Sequence, residues 1–170
     1  MLVTLNEVLK DAKKNKYAVG LFNTVNLEML RGVIGAAEEA KSPVIIGTAE
    51  VLLPVNDLKD LSAMLVDAAK RASVPVVLHF DHGLTEDRIF EAMDRGFTSI
   101  MYDCSTLDYE ENKIAVAKMV EQAHKRGITV EGELGHVGAN ESDYDTSIYT
   151  EPDAAKDLPK APELMLLRSQ

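Results

Sequence analysis

The sequence has almost no cysteine and no long apolar run. Cys104 is the single cysteine among 170 residues, so no disulfide can form within the chain, which favours a reducing cytoplasm. No apolar run approaches the ~20 residues that a membrane-spanning helix needs. Residues 1–20 are amphipathic and lack the apolar segment typical of a signal peptide. We therefore expect a cytoplasmic chain without a membrane partner.

The chain is also poor in positive charge. It has 18 Lys and Arg against 28 Asp and Glu, for a formal net charge of −10. Proteins that bind nucleic acid need basic patches for the phosphate backbone, so we expect no nucleic-acid partner. Apolar residues make up 46% of the chain, enough for one well-cored domain of roughly 150 residues without disulfides.

Apolar patterning predicts five strands that alternate with helices. The predicted strands cover residues 18–22, 44–46, 74–80, 99–102 and 128–133, and the predicted helices cover about 5–15, 27–37, 58–72, 86–95 and 110–126. This order indicates βαβ units and a parallel sheet, either a (β/α) barrel or an open doubly wound sheet. No Gly-x-Gly-x-x-Gly follows the first strand, which weakens a dinucleotide-binding interpretation.

Chemically active side chains follow three successive predicted strands. Asp81 and His82 end the third strand, Asp103 follows the fourth and Glu133 ends the fifth. A barrel gathers its site from many strand ends, whereas an open sheet concentrates it at one switch point, so the barrel is favoured. Imidazole can bind a divalent cation and a neighbouring carboxylate can move a proton. The alternative is that His82 is an ordinary strand-end residue and that Asp81 caps the next helix.

Six motifs occur in this order along the chain: residues 18–23 (AVGLFN), 41–46 (KSPVII), 78–83 (LHFDHG), 101–105 (MYDCS), 109–112 (YEEN) and 130–135 (VEGELG). Together they resemble one known family, the class II, zinc-dependent ketose-bisphosphate aldolases of the fructose and tagatose types. The resemblance runs from near the start to about residue 157.

The resemblance implies a (β/α)8 TIM barrel in the parent family, of which about five units are present here. It implies reversible aldol cleavage of a sugar-phosphate substrate, a ketose 1,6-bisphosphate, to dihydroxyacetone phosphate and an aldehyde. It also implies Zn²⁺ as the catalytic Lewis acid, a second divalent or monovalent cation nearby, and a homo-oligomer. A Schiff-base mechanism is disfavoured, because no lysine lies at a predicted strand end.

The same resemblance implies roles for individual residues. Asp81 is expected to be the catalytic acid/base at the C4 hydroxyl, and His82 the first zinc-binding histidine. Asp103 and Glu133 are expected to contribute to metal binding at the second cation position. Asn23 is expected to contact substrate.

The chain departs from the family pattern in two places. Many members have a serine for substrate phosphate where this chain has Ala49, which leaves Thr48 beside it as the candidate substrate contact. The family's second and third zinc histidines have no clear counterpart, and His136, in a predicted loop over residues 135–149, is the remaining candidate. We therefore expect little or no turnover by these 170 residues alone.

The final residues also differ from the family. We divide the chain into residues 1–157, the N-terminal part of the barrel, and residues 158–170, a non-family tail whose apolar run at residues 164–167 is too short to predict a helix or strand. We hypothesise a one-base deletion near Leu158, in the gene or in its reading, because a back-translation with chosen codons gives, in the shifted frame, a segment that resembles the family's next strand. The alternative is an unrelated natural C-terminus. Resequencing the gene across this position tests the deletion.

Two other functions remain open from the sequence. One is a non-catalytic remnant that keeps half of the fold and associates with other chains. The other is a different barrel metalloenzyme that uses Asp81, Asp103 and Glu133 with Mg²⁺ or Mn²⁺, since carboxylates favour hard cations.

Overall fold

A computed structural model describes residues 1–135, residue 153 and the backbone of residues 164–168. Strands and helices alternate along the chain. The strands are β1 (Leu2–Val3), β2 (Leu21–Asn23), β3 (Val44–Ala49), β4 (Val76–Gly83), β5 (Ser99–Tyr102), β6 (Thr129–Leu134) and β7 (Leu164–Arg168). The α-helices are α1 (Leu5–Asn15), α2 (Leu27–Ala40), α3 (Leu58–Arg71), α4 (Glu86–Asp94) and α5 (Tyr109–His124), and a short 3-10 helix (Glu50–Leu52) follows β3.

The strands form one parallel sheet in the order of the sequence. The order is β2-β3-β4-β5-β6-β7, and the two-residue β1 pairs with β4. All of these pairs are parallel. A doubly wound sheet reverses its strand order at a switch point, whereas a barrel keeps the sequential order. The predicted parallel α/β barrel architecture is therefore confirmed as a partial barrel.

The hydrophobic core lies between the sheet and the four helices α2 to α5. Alternate strand residues such as Ile46, Leu78 and Phe80 are buried in this layer together with Leu65 of α3. The opposite face of the sheet is smaller and more polar. There, Leu5 and Val8 of α1 pack against Ile45 and Val77, and so cover one end of the inner face. The strand period of two thus separates a helix-covered face from a face that is free to carry chemistry.

Local sequence signals explain most helix ends. Thr4 and Glu7 form a capping box at the start of α1. Gly96, with φ of +96°, lies directly after the C-cap of α4, where a left-handed residue is favoured. No helix within the described part of the chain is long and apolar enough to cross a membrane.

The structure corrects several predicted boundaries. The first predicted strand, 18–22, is shifted to Leu21–Asn23, and β1 and the 3-10 helix were not predicted. The expectation that residues 164–167 form neither helix nor strand is wrong, because β7 pairs in parallel with β6 from Leu164 opposite Val130 to Arg168 opposite Leu134. The predicted loop over residues 135–149 lies outside the described residues except for Gly135.

Candidate functional site

Polar side chains from four strands lie at the carboxyl edge of the sheet. Asn23 ends β2, Asp81 and His82 lie near the end of β4, Asp103 directly follows β5, and Glu133 lies near the end of β6. Parallel strands end at the same edge, which is why residues far apart in sequence meet here. This edge is where the sequence predicts the site.

An irregularity in β4 lets neighbouring side chains share the site. The register between β4 and β5 shifts between Phe80 and Gly83, and His82 has a φ of +42°. Left-handed backbone is strained for a residue with a side chain, so it persists only where the surroundings enforce it. Gly83 completes the turn, because a Cβ there would lie 2.7 Å from the carbonyl oxygen of Met101.

His82, Asp103 and Glu133 form a cluster that can hold a metal ion. Nδ1 of His82 lies 2.7 Å from Oδ2 of Asp103 and 3.7 Å from Oε2 of Glu133. Each residue offers one ligand atom, and these atoms lie within 4.8 Å of one another. Tetrahedral ligands at ~2.0 Å from zinc stand about 3.3 Å apart, so the donor set and its spacing fit a divalent cation after small side-chain movements.

The hydrogen bonds and charges within the cluster shift the pKa values of His82 and Asp103. The hydrogen bond to Asp103 is the main cause that raises the pKa of His82 to about 9, assisted by the negative charges of Asp81, Asp103 and Glu133. Burial acts to raise the pKa of Asp103, but hydrogen bonds from His82 and Ser105 outweigh burial and lower it to about 2. Without a metal, the site therefore holds an imidazolium against carboxylates.

Asp81 lies beside this cluster and is held by Asn23. Nδ2 of Asn23 donates a hydrogen bond of 2.9 Å to Oδ2 of Asp81. The Asp81 side chain is 16% exposed, so it is mostly buried but keeps contact with the open edge. A carboxylate held in this way can exchange a proton with a ligand at the edge.

A buried polar layer lies beneath Asp81 on the inner face. His79 is fully buried, and its Nδ1 lies 2.8 Å from Oγ of Ser99. Its Nε2 has no hydrogen-bond partner among the described residues and faces Glu131 Oε2 at 3.5 Å and Asp81 Oδ1 at 4.0 Å. Burial lowers the pKa of His79 to about 4. This geometry assigns a neutral ring that accepts from Ser99 and directs Nε2–H toward the carboxylates.

Glu131 shares this layer and has the opposite shift. Burial, followed by the negative charge of Asp81, raises the pKa of Glu131 to about 7. Sequence reasoning did not select Glu131, Ser99 or Ser105. The period of two along β6 was the available signal for Glu131, because it places Glu131 and Glu133 on one face.

The structure does not bring Thr48 to the site. Thr48 is fully buried and pairs in register with Phe80, on the helix-covered face. Ala49 is the residue in register with Asp81. A substrate contact by Thr48 stays a prediction that this geometry does not support. The candidate ligand His136 lies outside the described residues.

Comparisons with known proteins agree with this geometry. The family model described as class-II fructose-bisphosphate aldolase matches residues 3–167. A fructose-bisphosphate aldolase of Staphylococcus aureus strain Mu50 is 39% identical over 164 residues, which is 92% of this chain and 57% of the relative.

Solved structures show the same fold. The YdjI aldolase of Escherichia coli K12 superposes with a TM-score of 0.83 at 40% identity, covering 93% of this chain and 57% of that one. A candidate fructose-1,6-biphosphate aldolase from Coccidioides immitis has a TM-score of 0.87 at 28% identity, covering 97% and 60%. This chain thus spans about 57–60% of the length of the relatives that it matches. The match to residue 167 reaches into the segment that we predict to be a non-family tail, and the boundary at residue 157 stays a prediction.

Proposed function

This chain belongs to the class-II fructose-bisphosphate aldolase family, and we propose that its site serves the metal-dependent, reversible aldol cleavage of a ketose 1,6-bisphosphate. The products are dihydroxyacetone phosphate and an aldehyde, and the substrate is of the fructose or tagatose type. The observation that carries the proposal is the position of Asp81, oriented by Asn23, next to the cluster of His82, Asp103 and Glu133. A proton-transfer group and a cation-binding group are thereby available to one substrate.

His82, Asp103 and Glu133 are the residues that we propose to hold the metal. The imidazole and the two carboxylates fit a catalytic Zn²⁺, and the carboxylates also fit a second divalent or monovalent cation. A bound divalent ion supplies Lewis-acid polarisation of the substrate carbonyl. Metal must displace the proton of His82, whose pKa is raised to about 9. We therefore expect affinity for zinc to rise as the pH rises toward 9.

Asp81 is the residue that we propose to move the proton at the C4 hydroxyl. Asn23 donates to Oδ2 of Asp81 and thereby fixes the orientation of this carboxylate at the edge. His79 lies beneath Asp81, and its Nε2 is 4.0 Å from Oδ1 of Asp81, too far for a hydrogen bond, so Oδ1 keeps its capacity to accept one. Asn23 also lies at the edge where it can contact substrate directly.

We further propose that residues 1–170 alone turn over little or no substrate. The described cluster has a single imidazole, a weaker donor set for zinc than imidazole-rich catalytic sites.

We also propose a homo-oligomer, because the edge strand β2 and the start of α2 leave Leu21, Phe22 and Leu27 exposed. A cytoplasmic location stays a prediction that depends on the lone thiol of Cys104.

A chimera tests the activity. Residues 1–134 of this chain are joined to the remainder of a full-length relative, and release of dihydroxyacetone phosphate is followed with fructose and tagatose bisphosphates. We expect zinc-dependent cleavage by the chimera. Asp81→Asn should lower kcat by roughly 100-fold or more with zinc content unchanged. An unchanged kcat in that variant would refute the role of Asp81, and robust cleavage by residues 1–170 alone would refute the proposed inactivity.

A second candidate follows from the composition of the cluster. Two of its three members are carboxylates, which Mg²⁺ and Mn²⁺ prefer. A different metal-dependent barrel enzyme would then use the same residues. Activity of the chimera across Zn²⁺, Mn²⁺ and Mg²⁺ separates the two, since the aldolase proposal expects zinc to support the highest kcat.

A further inference from the structure

The turn that carries His82 is strained and needs support from its surroundings. His82 is one of three non-glycine residues with positive φ among the described residues; the other two, Lys16 and Lys41, are C-caps of helices. His82 instead lies inside a strand, at an irregularity in the pairing of β4 with β5. A non-glycine residue in this conformation is strained and persists only where its surroundings hold it.

One side of the turn is held by β5. The N–H of Asp103 donates a hydrogen bond of 2.9 Å to the carbonyl oxygen of Gly83. Gly83 itself has no room for a side chain, because a Cβ there would lie 2.6 Å from Cγ1 of Ile89. These contacts fix the position of Gly83 but leave the chain that follows to be held from elsewhere.

The other side of the turn is held by a single carboxylate, that of Glu50. Oε2 of Glu50 accepts hydrogen bonds from the backbone N–H groups of Leu84, at 2.7 Å, and Thr85, at 3.0 Å. Oε1 of Glu50 accepts from the hydroxyl of Thr85 at 2.8 Å. Glu50 begins the 3-10 helix after β3 and is 34 residues from Leu84 in sequence. Three hydrogen bonds therefore tie the residues directly after His82 and Gly83 to the neighbouring strand end.

Thr85 does not cap its own helix. It is the N-cap residue of α4, yet its side chain makes no capping hydrogen bond. The carboxylate of Glu50 accepts from the N–H of this N-cap residue and of Leu84 before it, and its negative charge suits the positive end of α4. The start of α4 is thus positioned by a residue from the loop after β3.

We propose that Glu50 is a positioning residue for His82. By anchoring Leu84 and Thr85, Glu50 keeps the β4 turn in the conformation that directs the imidazole of His82 to Asp103. The consequence for metal binding rests on the proposed function, but the positioning itself concerns the metal-free chain. Outer groups that orient a metal ligand typically change metal affinity by 10–100-fold when removed.

A matched control exists elsewhere in the chain. Glu38 of α2 accepts hydrogen bonds from the backbone N–H of Ser73, at 2.7 Å, and from its hydroxyl, at 2.9 Å. This carboxylate makes the same kind of bond to a loop, but that loop precedes β4 and so lies at the opposite end of the strand from His82. Glu38→Ala should lower stability to a similar extent without changing the environment of His82.

The test uses the purified full chain and two readouts. The first is the ¹H–¹⁵N correlation of the His82 ring without metal, which reports the hydrogen bond of Nδ1 to Asp103. The second is affinity for Zn²⁺, measured by competition with a chromophoric chelator. We expect Glu50→Ala to alter the His82 ring signals and to weaken zinc binding roughly tenfold or more. Glu50→Gln, which keeps an acceptor oxygen, should retain most of the wild-type ring signals and zinc affinity. Glu38→Ala should change neither the ring signals nor the zinc affinity.

The two readouts separate this proposal from the proposed function. Unchanged His82 ring signals in folded Glu50→Ala protein would overturn the positioning role, whatever the zinc affinity. Equal changes in Glu38→Ala would also overturn it, since they would show general destabilisation. If the ring signals respond to Glu50→Ala but His82→Ala leaves zinc affinity unchanged, the positioning role is supported and the proposed metal site is refuted.

Discussion

Replacing Asp103 by asparagine should return the pKa of His82 toward its ordinary value. The hydrogen bond from Nδ1 of His82 to Oδ2 of Asp103, at 2.7 Å, is the largest cause that raises this pKa from 6.5 to about 9. Asparagine nearly preserves the shape of the side chain but removes its charge. The charges of Asp81 and Glu133 still act to raise the pKa and burial still acts to lower it, so the pKa should fall well below 9.

The effect on stability can be bounded from the same contact. A pKa raised from 6.5 to about 9 corresponds to roughly 3 kcal/mol at about 1.4 kcal/mol per pKa unit. Because the His82 side chain is 42% exposed, solvent screening should reduce the net contribution to about 1 kcal/mol. The folded pKa lies above the unfolded one, so the stabilisation is complete below pH 6.5 and is lost as the pH rises from 6.5 to about 9.

NMR titration of the ring protons of His82 measures this pKa directly, and His82→Gln identifies the signal. Urea unfolding should show a larger free-energy difference between wild type and Asp103→Asn at pH 6 than at pH 9.5, because the hydrogen bonds from Ser105 to Asp103 are affected at both pH values. Asp94→Asn is the control, since Asp94 is an exposed carboxylate paired with Arg126 at the end of α4. A wild-type pKa near 6.5, or an equal pKa in wild type and Asp103→Asn, would refute the reasoning.

Other predictions address the strands and the buried layer. Gly47→Ala should lower the free energy of unfolding by at least ~2 kcal/mol in urea titrations, because a Cβ there would lie 1.9 Å from the carbonyl oxygen of His79. The control Gly32→Ala, at an open position on α2, should instead raise the free energy of unfolding by up to ~1 kcal/mol. Equal changes in the two variants would contradict the close packing of β3 against β4. The pKa of Glu131, raised to about 7, should fall in Asp81→Asn when followed by ¹³C NMR of its carboxyl carbon. Since that folded pKa lies above the ordinary 4.5, charging Glu131 should cost stability as the pH rises from 4.5 to 7; a Glu131 that titrates near 4.5 would show that burial does not govern it.

The residue types of the site could be predicted from the sequence because parallel strands end at one edge. Asp81, His82, Asp103 and Glu133 each follow or end an apolar run, and the fold then brings them together. The alternation of side chains between the two faces of a strand is an equally simple signal. Applied to β6, it would have added Glu131 to the candidates.

The remaining features depend on contacts that a linear pattern does not contain. The face taken by Thr48 depends on the register of β3 with β4, where a shift of one residue exchanges the faces of the sheet. The left-handed conformation in the β4 turn falls on His82 and not on the neighbouring glycine, Gly83, where a sequence pattern would place it. The bonds from Glu50 to Leu84 and Thr85 join loops that follow different strands. The partner of β6 was missed because an isolated apolar run of four residues does not distinguish a strand from other structures.

Anomalous diffraction at the zinc edge, from crystals of the chain soaked with Zn²⁺, tests most directly whether one cation can be held at the carboxyl edge of this sheet. We expect a single peak at ~2.0–2.2 Å from a ring nitrogen of His82 and from carboxylate oxygens of Asp103 and Glu133. Zinc bound at other residues, with His82 still hydrogen-bonded to Asp103 as in the metal-free chain, would contradict the proposed metal site.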